Sequence, residues 1–254
     1  MDFTLQKYQE LCKVILEEEY TPLTVESYLR ELPSGKVAIL RHDVDRVPER
    51  ALKMAKLEKD LGIVSTYYFR MNKKVFKPEI IKEIASMGHE IGYHYEVLDK
   101  AKGSYEEAIK IFEEELNKFR EICDVYTVCM HGNPLTPWIN KDLWKRYDLK
   151  TFGIIGEPYI SIDYRKVCYF SDTGRTWSGK FSVKDSVEDS KIHVKTTNDI
   201  IELLRKGKFK QVCILTHPNR WCDNPWDWFK ELITQNIKNI GKRLIIYGKR
   251  RSLF

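Results

Sequence analysis

Val37-Ala38-Ile39-Leu40-Arg41-His42-Asp43-Val44-Asp45 is the stretch on which the fold turns. Four apolar residues in a row read as a strand buried on both faces, and the run passes without a turn into charged residues. In α/β folds the carboxyl ends of parallel strands are where chemistry is assembled. If the strand continues, Asp43 and Asp45 face one side and His42 and Val44 the other. Two carboxylates so close repel each other unless a cation or a shared proton lies between them. The alternative is a pair that caps the next helix and binds Arg46 or Arg50.

Outward from this stretch, strands and helices alternate. Pro33-Ser34-Gly35 forms a turn before it, and upstream Leu5, Tyr8, Leu11, Cys12 and Ile15 have helical spacing. Downstream, Pro48 can open a helix whose Ala51, Met54, Leu57 and Leu61 form one stripe ending at Gly62. A strand at 63–69, a helix from Pro78 to Met87, and a strand from His89 to Tyr95 follow. Ser104 and Glu107 predict a capping box for a helix carrying Tyr105, Ala108, Phe112, Leu116, Phe119 and Cys123 on one face, and Val125 to Met130 predicts the next strand. Further strands are expected at Lys150–Ile155, Val167–Phe170, around Ile192–Val194, at Val212–Thr216 and at Arg243–Tyr247, with a helix at Asn198–Lys206. Right-handed crossovers between parallel strands then give an α/β fold, an irregular (β/α) barrel of about seven parallel strands. Residues 1–254 are expected to form one domain, with an N-terminal amphipathic helix over about 1–30 packed outside the barrel.

Composition narrows the function. The chain has 254 residues, 43% of them hydrophobic, enough for one large core. The six cysteines lack CxxC spacing and several fall in apolar runs, which argues against a disulfide framework. No window approaches membrane-spanning length, and the first ten residues do not read as a signal peptide, so a cytoplasmic protein without a transmembrane segment is expected. The net charge of +6 gathers at Lys242-Arg243 and Lys249-Arg250-Arg251, while elsewhere bases and acids are interspersed, so nucleic acid is not an expected partner.

The histidines supply the candidate chemistry. In His89-Glu90-Ile91-Gly92-Tyr93-His94-Tyr95-Glu96, residues 90, 92, 94 and 96 share one strand face, which makes His94 the candidate ligand and His89 a bystander. Gly92 leaves room for a ligand or a neighbouring backbone. His217 follows an apolar strand and precedes Pro218, a placement suited to a site residue and also to a satisfied core histidine. Tyr169 to Trp177, with Asp172, Arg175 and Trp177, reads either as part of the site or as a surface turn with a packed Trp.

On these motifs the chain resembles the polysaccharide deacetylase family, carbohydrate esterases of family 4 with homology to nodulation-type chitooligosaccharide deacetylases. Gly88-His89-Glu90-Ile91-Gly92-Tyr93-His94 resembles the family's Gly-His-Glu-Ile-Gly-x-His segment, and Asp43-Val44-Asp45 and Leu215-Thr216-His217 fall where the family has its aspartates and its late histidine. The resemblance is good from Val37 to Tyr95 and thins beyond it. The family has adjacent aspartates after Thr-Phe, where this chain has Arg41-His42 and an intervening Val44. Its second metal-binding histidine, four residues after the first, corresponds to Leu98, and its Arg-x-Pro-Tyr motif to His131-Gly132-Asn133-Pro134.

The resemblance implies a deacetylase-type barrel holding a divalent metal ion, zinc first, with cobalt, nickel, iron and manganese as the other candidates. It implies Asp43 as base and His217 as acid, with Asp45 and His94 as ligands and His131 as the third; Glu96 and Asp43 are the alternatives for that third position. Arg70, Asn133, Asp172, Arg175, Trp177, Asn219 and Arg220 are the expected substrate contacts, with Trp138, Trp177 and Trp221 available to stack on a sugar ring. The implied substrate is an N-acetylated saccharide, nucleotide- or lipid-linked, in surface polysaccharide synthesis. A hydrolase of another carbon–nitrogen bond and a non-catalytic saccharide binder are the alternatives.

Overall fold

The computed structural model describes residues 1–181 and 194–251, with side chains described through residue 241. The elements run α1 (Leu5–Glu17), β1 (Thr21–Leu23), α2 (Val25–Glu31), β2 (Val37–Val44), α3 (Pro48–Asp60), β3 (Thr66–Arg70), α4 (Pro78–Ser86) and β4 (Glu90–Tyr95). They continue with α5 (Val97–Lys100), α6 (Tyr105–Arg120), β5 (Val128–Met130), α7 (Pro158–Ser161), β6 (Cys168–Ser171), α8 (Thr197–Arg205), β7 (Gln211–Thr216) and α9 (Pro225–Arg251). Among the described residues six strands pair in parallel in the order β5-β4-β3-β2-β7-β6. β1 joins the edge of β2 at Val37–Ile39, just before β3 takes over that edge at Arg41–Val44.

Alternation along β2 sorts its side chains as expected. Val37 and Ile39 enter an interior cluster with Tyr68, Cys129, Tyr169, Cys213 and Leu215, drawn from strands across the sheet. Ala38, Leu40 and Val44 point outward into two further cores, one beneath α1 and α8, the other beneath α3, α4 and α6. No ladder joins β5 to β6 among the described residues. Side chains bridge them instead: Arg41 reaches Cys129 Sγ on β5 at 3.0 Å and Tyr159 Oη at 3.4 Å, and Tyr159 Oη lies 3.3 Å from Tyr169 Oη on β6. The sheet is therefore curled into a half-barrel with side chains filling the gap.

Local signals explain most element ends. Thr4 caps α1 and Ser104 caps α6, each accepting from a backbone N–H three residues on. The reciprocal capping box forms at Thr196 and Asp199, whereas at Ser104 only half of it is made. The segment 1–30 is not one helix: α1 packs outside the sheet, and β1 becomes part of it. Lys150–Ile155 is not a strand but a 3-10 turn over Leu149–Phe152, started by Asp148 accepting from Lys150 N and ended at Gly153 with φ of 65°. Arg243–Tyr247 lies within α9, which Asn224 caps by accepting from Asp227 N at 2.8 Å. Its short apolar run suits either state, and helix started upstream carries through it. Of the strand expected around Ile192–Val194, residues 192 and 193 lie outside the described residues, and Val194 is buried beneath α1 and α8 but not in a strand.

Candidate metal centre and active site

The ladders set the ends of β5, β4, β3, β2 and β7 side by side, with Arg70 opposite His94 and Tyr95 opposite Met130. Asp45, His94, His131 and His217 consequently converge. Asp45 Oδ1 lies 3.6 Å from His94 Nε2 and 3.5 Å from His131 Nε2, and Asp45 Oδ2 lies 3.9 Å from His217 Nε2. Burial pushes the Asp45 carboxyl up, but the three imidazoles outweigh it and hold the group well below the usual carboxylate range. His94 moves the other way: burial disfavours its charge, and Asp43 and Asp45 override burial to raise it. Asp43 Oδ2 is 3.8 Å from His94 Nε2.

These residues fit a divalent cation. Asp45 Oδ1 is buried and has no hydrogen-bond partner among the described residues, a costly state for a carboxylate oxygen that a cation would relieve. His94 Nδ1 lies 3.0 Å from the Cys129 carbonyl oxygen, to which it can donate, leaving the Nε2 lone pair facing Asp45. Donors about 2.0–2.1 Å from a tetrahedral ion stand about 3.4 Å apart, close to the two separations measured from Asp45 Oδ1. Two groups of potential ligands among the described residues have all their donor atoms within 4.8 Å of one another, Asp43–His94–Cys129 and Glu96–Asp99–His131, and Asp45 stands between their histidines. In the first, the Arg41 guanidinium touches both Asp43 and Cys129 Sγ and repels a cation. In the second, Glu96 is paired with Arg70 at 2.5 Å, and Asp99 accepts from Thr136 and Asn140. Burial pushes Glu96 up, and His131 and Arg70 pull it down to about 2.

A second carboxylate sits behind His217. Asp172 is wholly buried at the end of β6; its Oδ1 lies 2.6 Å from His217 Nδ1, its Oδ2 accepts from His217 N at 3.0 Å and Trp221 Nε1 at 2.8 Å, and Arg220 donates to Oδ1 at 2.6 Å. Burial would raise this carboxyl, but Arg220 and His217 lower it. This arrangement fixes the ring so that Nε2 faces the site.

A cleft of about 400 Å³ opens over Asp45, lined by Arg46, Arg70, His131, Gly132, Pro134, Leu135, Arg220, Gln235, Lys238 and Gly241. Of the expected substrate contacts, Arg70 and Arg220 line this cleft. Several other expected contacts do not. Asp172 orients His217 and has no exposed surface for substrate. Trp177 is 4% exposed in the core beneath α1 and donates to Thr197 at 3.0 Å, and Trp221 is 2% exposed in the same core. Arg175 is buried with its guanidinium over the Phe3 and Trp228 rings, and Asn219 is buried with its amide on Glu231. Asn133 shapes the turn after His131 by accepting from Leu135 N. Leu98 packs in the outer core, so position 98 does not face the site. Gly92 makes room not for a ligand but for the Tyr68 ring and the Thr127 backbone carbonyl, both of which a Cβ there would crowd.

No protein-family model matches the chain, and no curated protein matches it in sequence. Among solved structures it is similar in outline to a mutant of the peptidoglycan deacetylase PdaC from Bacillus subtilis, with 14% identity, a TM-score of 0.42, and coverage of 83% of this chain and 98% of that one. It is similar also to Bacillus subtilis PdaA, a family 4 carbohydrate esterase, with 13% identity, a TM-score of 0.41, and coverage of 90% and 84%. A Thermotoga maritima phospho-2-dehydro-3-deoxyheptonate aldolase follows at 12% and 0.30, covering 82% and 69%. Likeness at this level assigns no activity, and the roles below rest on this chain's own residues.

Three features of the site had no clear reading from sequence. Arg41, on β2 itself, lies 3.1 Å from Asp43, and only the curl of the sheet makes its burial intelligible. Asn140 donates to the His131 carbonyl and accepts from Leu98 N, tying the His131 loop to α5. Gln235 and Lys238 come from α9, part of which reads as a strand.

Proposed function

We propose that residues 1–254 act as a metal-dependent hydrolase that removes the acetyl group from an N-acetylated saccharide in surface polysaccharide synthesis. The observation that carries this is the unpartnered Asp45 Oδ1 facing His94 Nε2 and His131 Nε2, with Asp43 and the His217–Asp172 pair flanking it. Asp45, His94 and His131 would hold a divalent cation, zinc first, which supplies a lowered water pKa and polarisation of the acyl oxygen. Asp43, held by Arg41, accepts the proton of the attacking water. His217 delivers a proton from Nε2 to the departing amine nitrogen, with Asp172 and Arg220 fixing the ring. Amine departure needs this proton because an amide anion is a very poor leaving group. Arg70 and Arg220 at the cleft wall meet the saccharide.

The saccharide class follows the Gly88-to-His94 resemblance. A hydrolase of another carbon–nitrogen bond is the second reading, favoured by the lack of any Trp, Tyr or Phe among the described residues lining the cleft. The test is metal content of the purified chain beside His94→Ala, with acetate release from N-acetylated oligosaccharides. About one equivalent of metal, lost in the variant together with acetate release, supports the proposal. An intact chain that stays metal-free after incubation with zinc, cobalt, nickel, iron or manganese overturns it, and metal binding without acetate release from any saccharide moves the choice to the second reading.

A further inference from the structure

α9 carries its polarity the wrong way round for a helix on a folded core. At 100° per residue, Trp226, Phe229, Ile233, Ile237 and Ile240 fall within an arc of about 80°, and all are exposed, by 76%, 52%, 46%, 65% and 59%. The opposite arc holds Trp228, Glu231, Gln235 and Asn239, and this is the side that meets the protein. Trp228 donates to Asp2 O at 2.7 Å, Glu231 pairs with Arg46 at 2.9 Å and accepts from Asn219, and Asn239 donates to Gly174 O at 2.8 Å. A polar face turned inward and a large apolar stripe turned outward mark an interaction surface.

Charge selects the occupant. From Leu232 to Phe254 the chain has Lys238, Lys242, Arg243, Lys249, Arg250 and Arg251 and no aspartate or glutamate. The acids earlier in α9, Asp227 and Glu231, are already paired with Arg50 and Arg46. A second copy of α9 would bring one basic sequence against another, whereas an apolar stripe on a helix whose sequence after Glu231 is basic and free of acids suits anionic lipid headgroups. We propose that the exposed face of α9 docks in the headgroup plane of an anionic bilayer. It lies on the membrane: no helix among the described residues is long and apolar enough to cross one. Gln235, Lys238 and Gly241 of the same helix line the cleft, so docking sets the cleft beside the headgroups.

Co-sedimentation of the full chain with phosphatidylcholine vesicles, with and without about one-third phosphatidylglycerol, tests this. Binding is expected only to the anionic vesicles and weakens as salt rises. Combined Ile233→Ser, Ile237→Ser and Ile240→Ser should lower partitioning at least about tenfold, and each neutralisation among Lys249→Gln, Arg250→Gln and Arg251→Gln on the order of fivefold. If the serine variant loses helical circular dichroism, the glutamine variants decide. Absence of binding to anionic vesicles, or binding by both variant sets as tight as the native chain's, overturns the proposal. So does a dimer of the native chain that the serine variant dissolves while vesicles are ignored, which gives the face to a second copy.

Discussion

Two buried clusters of histidine and carboxylate lie back to back across β2 and β4, and they are opposites in how they are satisfied. On the outer face, Glu58 is wholly buried, and its oxygens meet His42 Nε2 at 2.9 Å, Ser65 Oγ and Tyr67 Oη at 2.6 Å each, and Tyr8 Oη. His42 Nδ1 in turn meets Thr216 Oγ1 at 2.7 Å, and His89 Nε2 the Ala55 carbonyl at 3.0 Å. On the interior face, an odd number of residues along each motif, Asp45 Oδ1 goes without a hydrogen bond while imidazoles face it at 3.5 and 3.6 Å. The same residue types thus make a closed network on one side and an open one on the other. A saturated network stabilises the fold, whereas an unsaturated one leaves a buried acceptor for which a bound ion is the proposed partner.

The sharpest way to break this contrast is Asp45→Asn. Metal should be lost and catalysis should fall on the order of a thousandfold or more, while no hydrogen bond to Oδ1 is removed, so any loss of metal-free stability at pH 7 comes from the three imidazoles that hold this carboxyl low. A large loss of stability with metal retained would make the interior cluster structural after all.

Glu58→Gln should do the reverse. Burial raises this carboxyl, but His42 and His89 and the hydrogen bonds outweigh it and bring it to about 2. A carboxyl depressed on folding adds stability above its unfolded value of about 4.3, and that stability is lost as pH falls from about 5 toward 2. The contribution near neutrality is on the order of 3 kcal/mol. The variant should lose that amount at pH 7, show a flatter acid limb in urea titrations, and keep its metal and its turnover per folded molecule. Loss of metal from it would join the two clusters into one.

Trp177→Phe gives the smallest change. It removes the indole bond to Thr197 and should cost about 1 kcal/mol, with kcat/KM unchanged. A raised KM would return Trp177 to the substrate.

Strand parity made much of this visible in the sequence. His42 separates from Asp43, and His89 from His94, by alternation alone, and each histidine lies on the face that alternation assigns. What stayed hidden depends on neighbours far along the chain. Asp172 and Trp177 follow a strand and sit about a glycine turn, as substrate contacts would, yet Arg220, Trp221 and Thr197 enclose them from other elements. Leu98 reads as a missing ligand until α5 turns it into the core. The tail of α9 reads as a strand because a short apolar run carries no period of its own.

The glycine one pleat below His94 has a reach beyond its own position. Tyr68 occupies the space that a side chain at Gly92 would need, the ring lies 5.6 Å from the Arg41 guanidinium, and Arg41 holds Asp43. The floor of the site is thus a keystone stack, glycine to tyrosine to arginine to aspartate. A lineage could reshape the rim of this cleft freely, through the turn after His131 or through α9, but it could not deepen the cleft from below. Any side chain added at 92 would arrive, three contacts later, at the carboxylate assigned to take the proton.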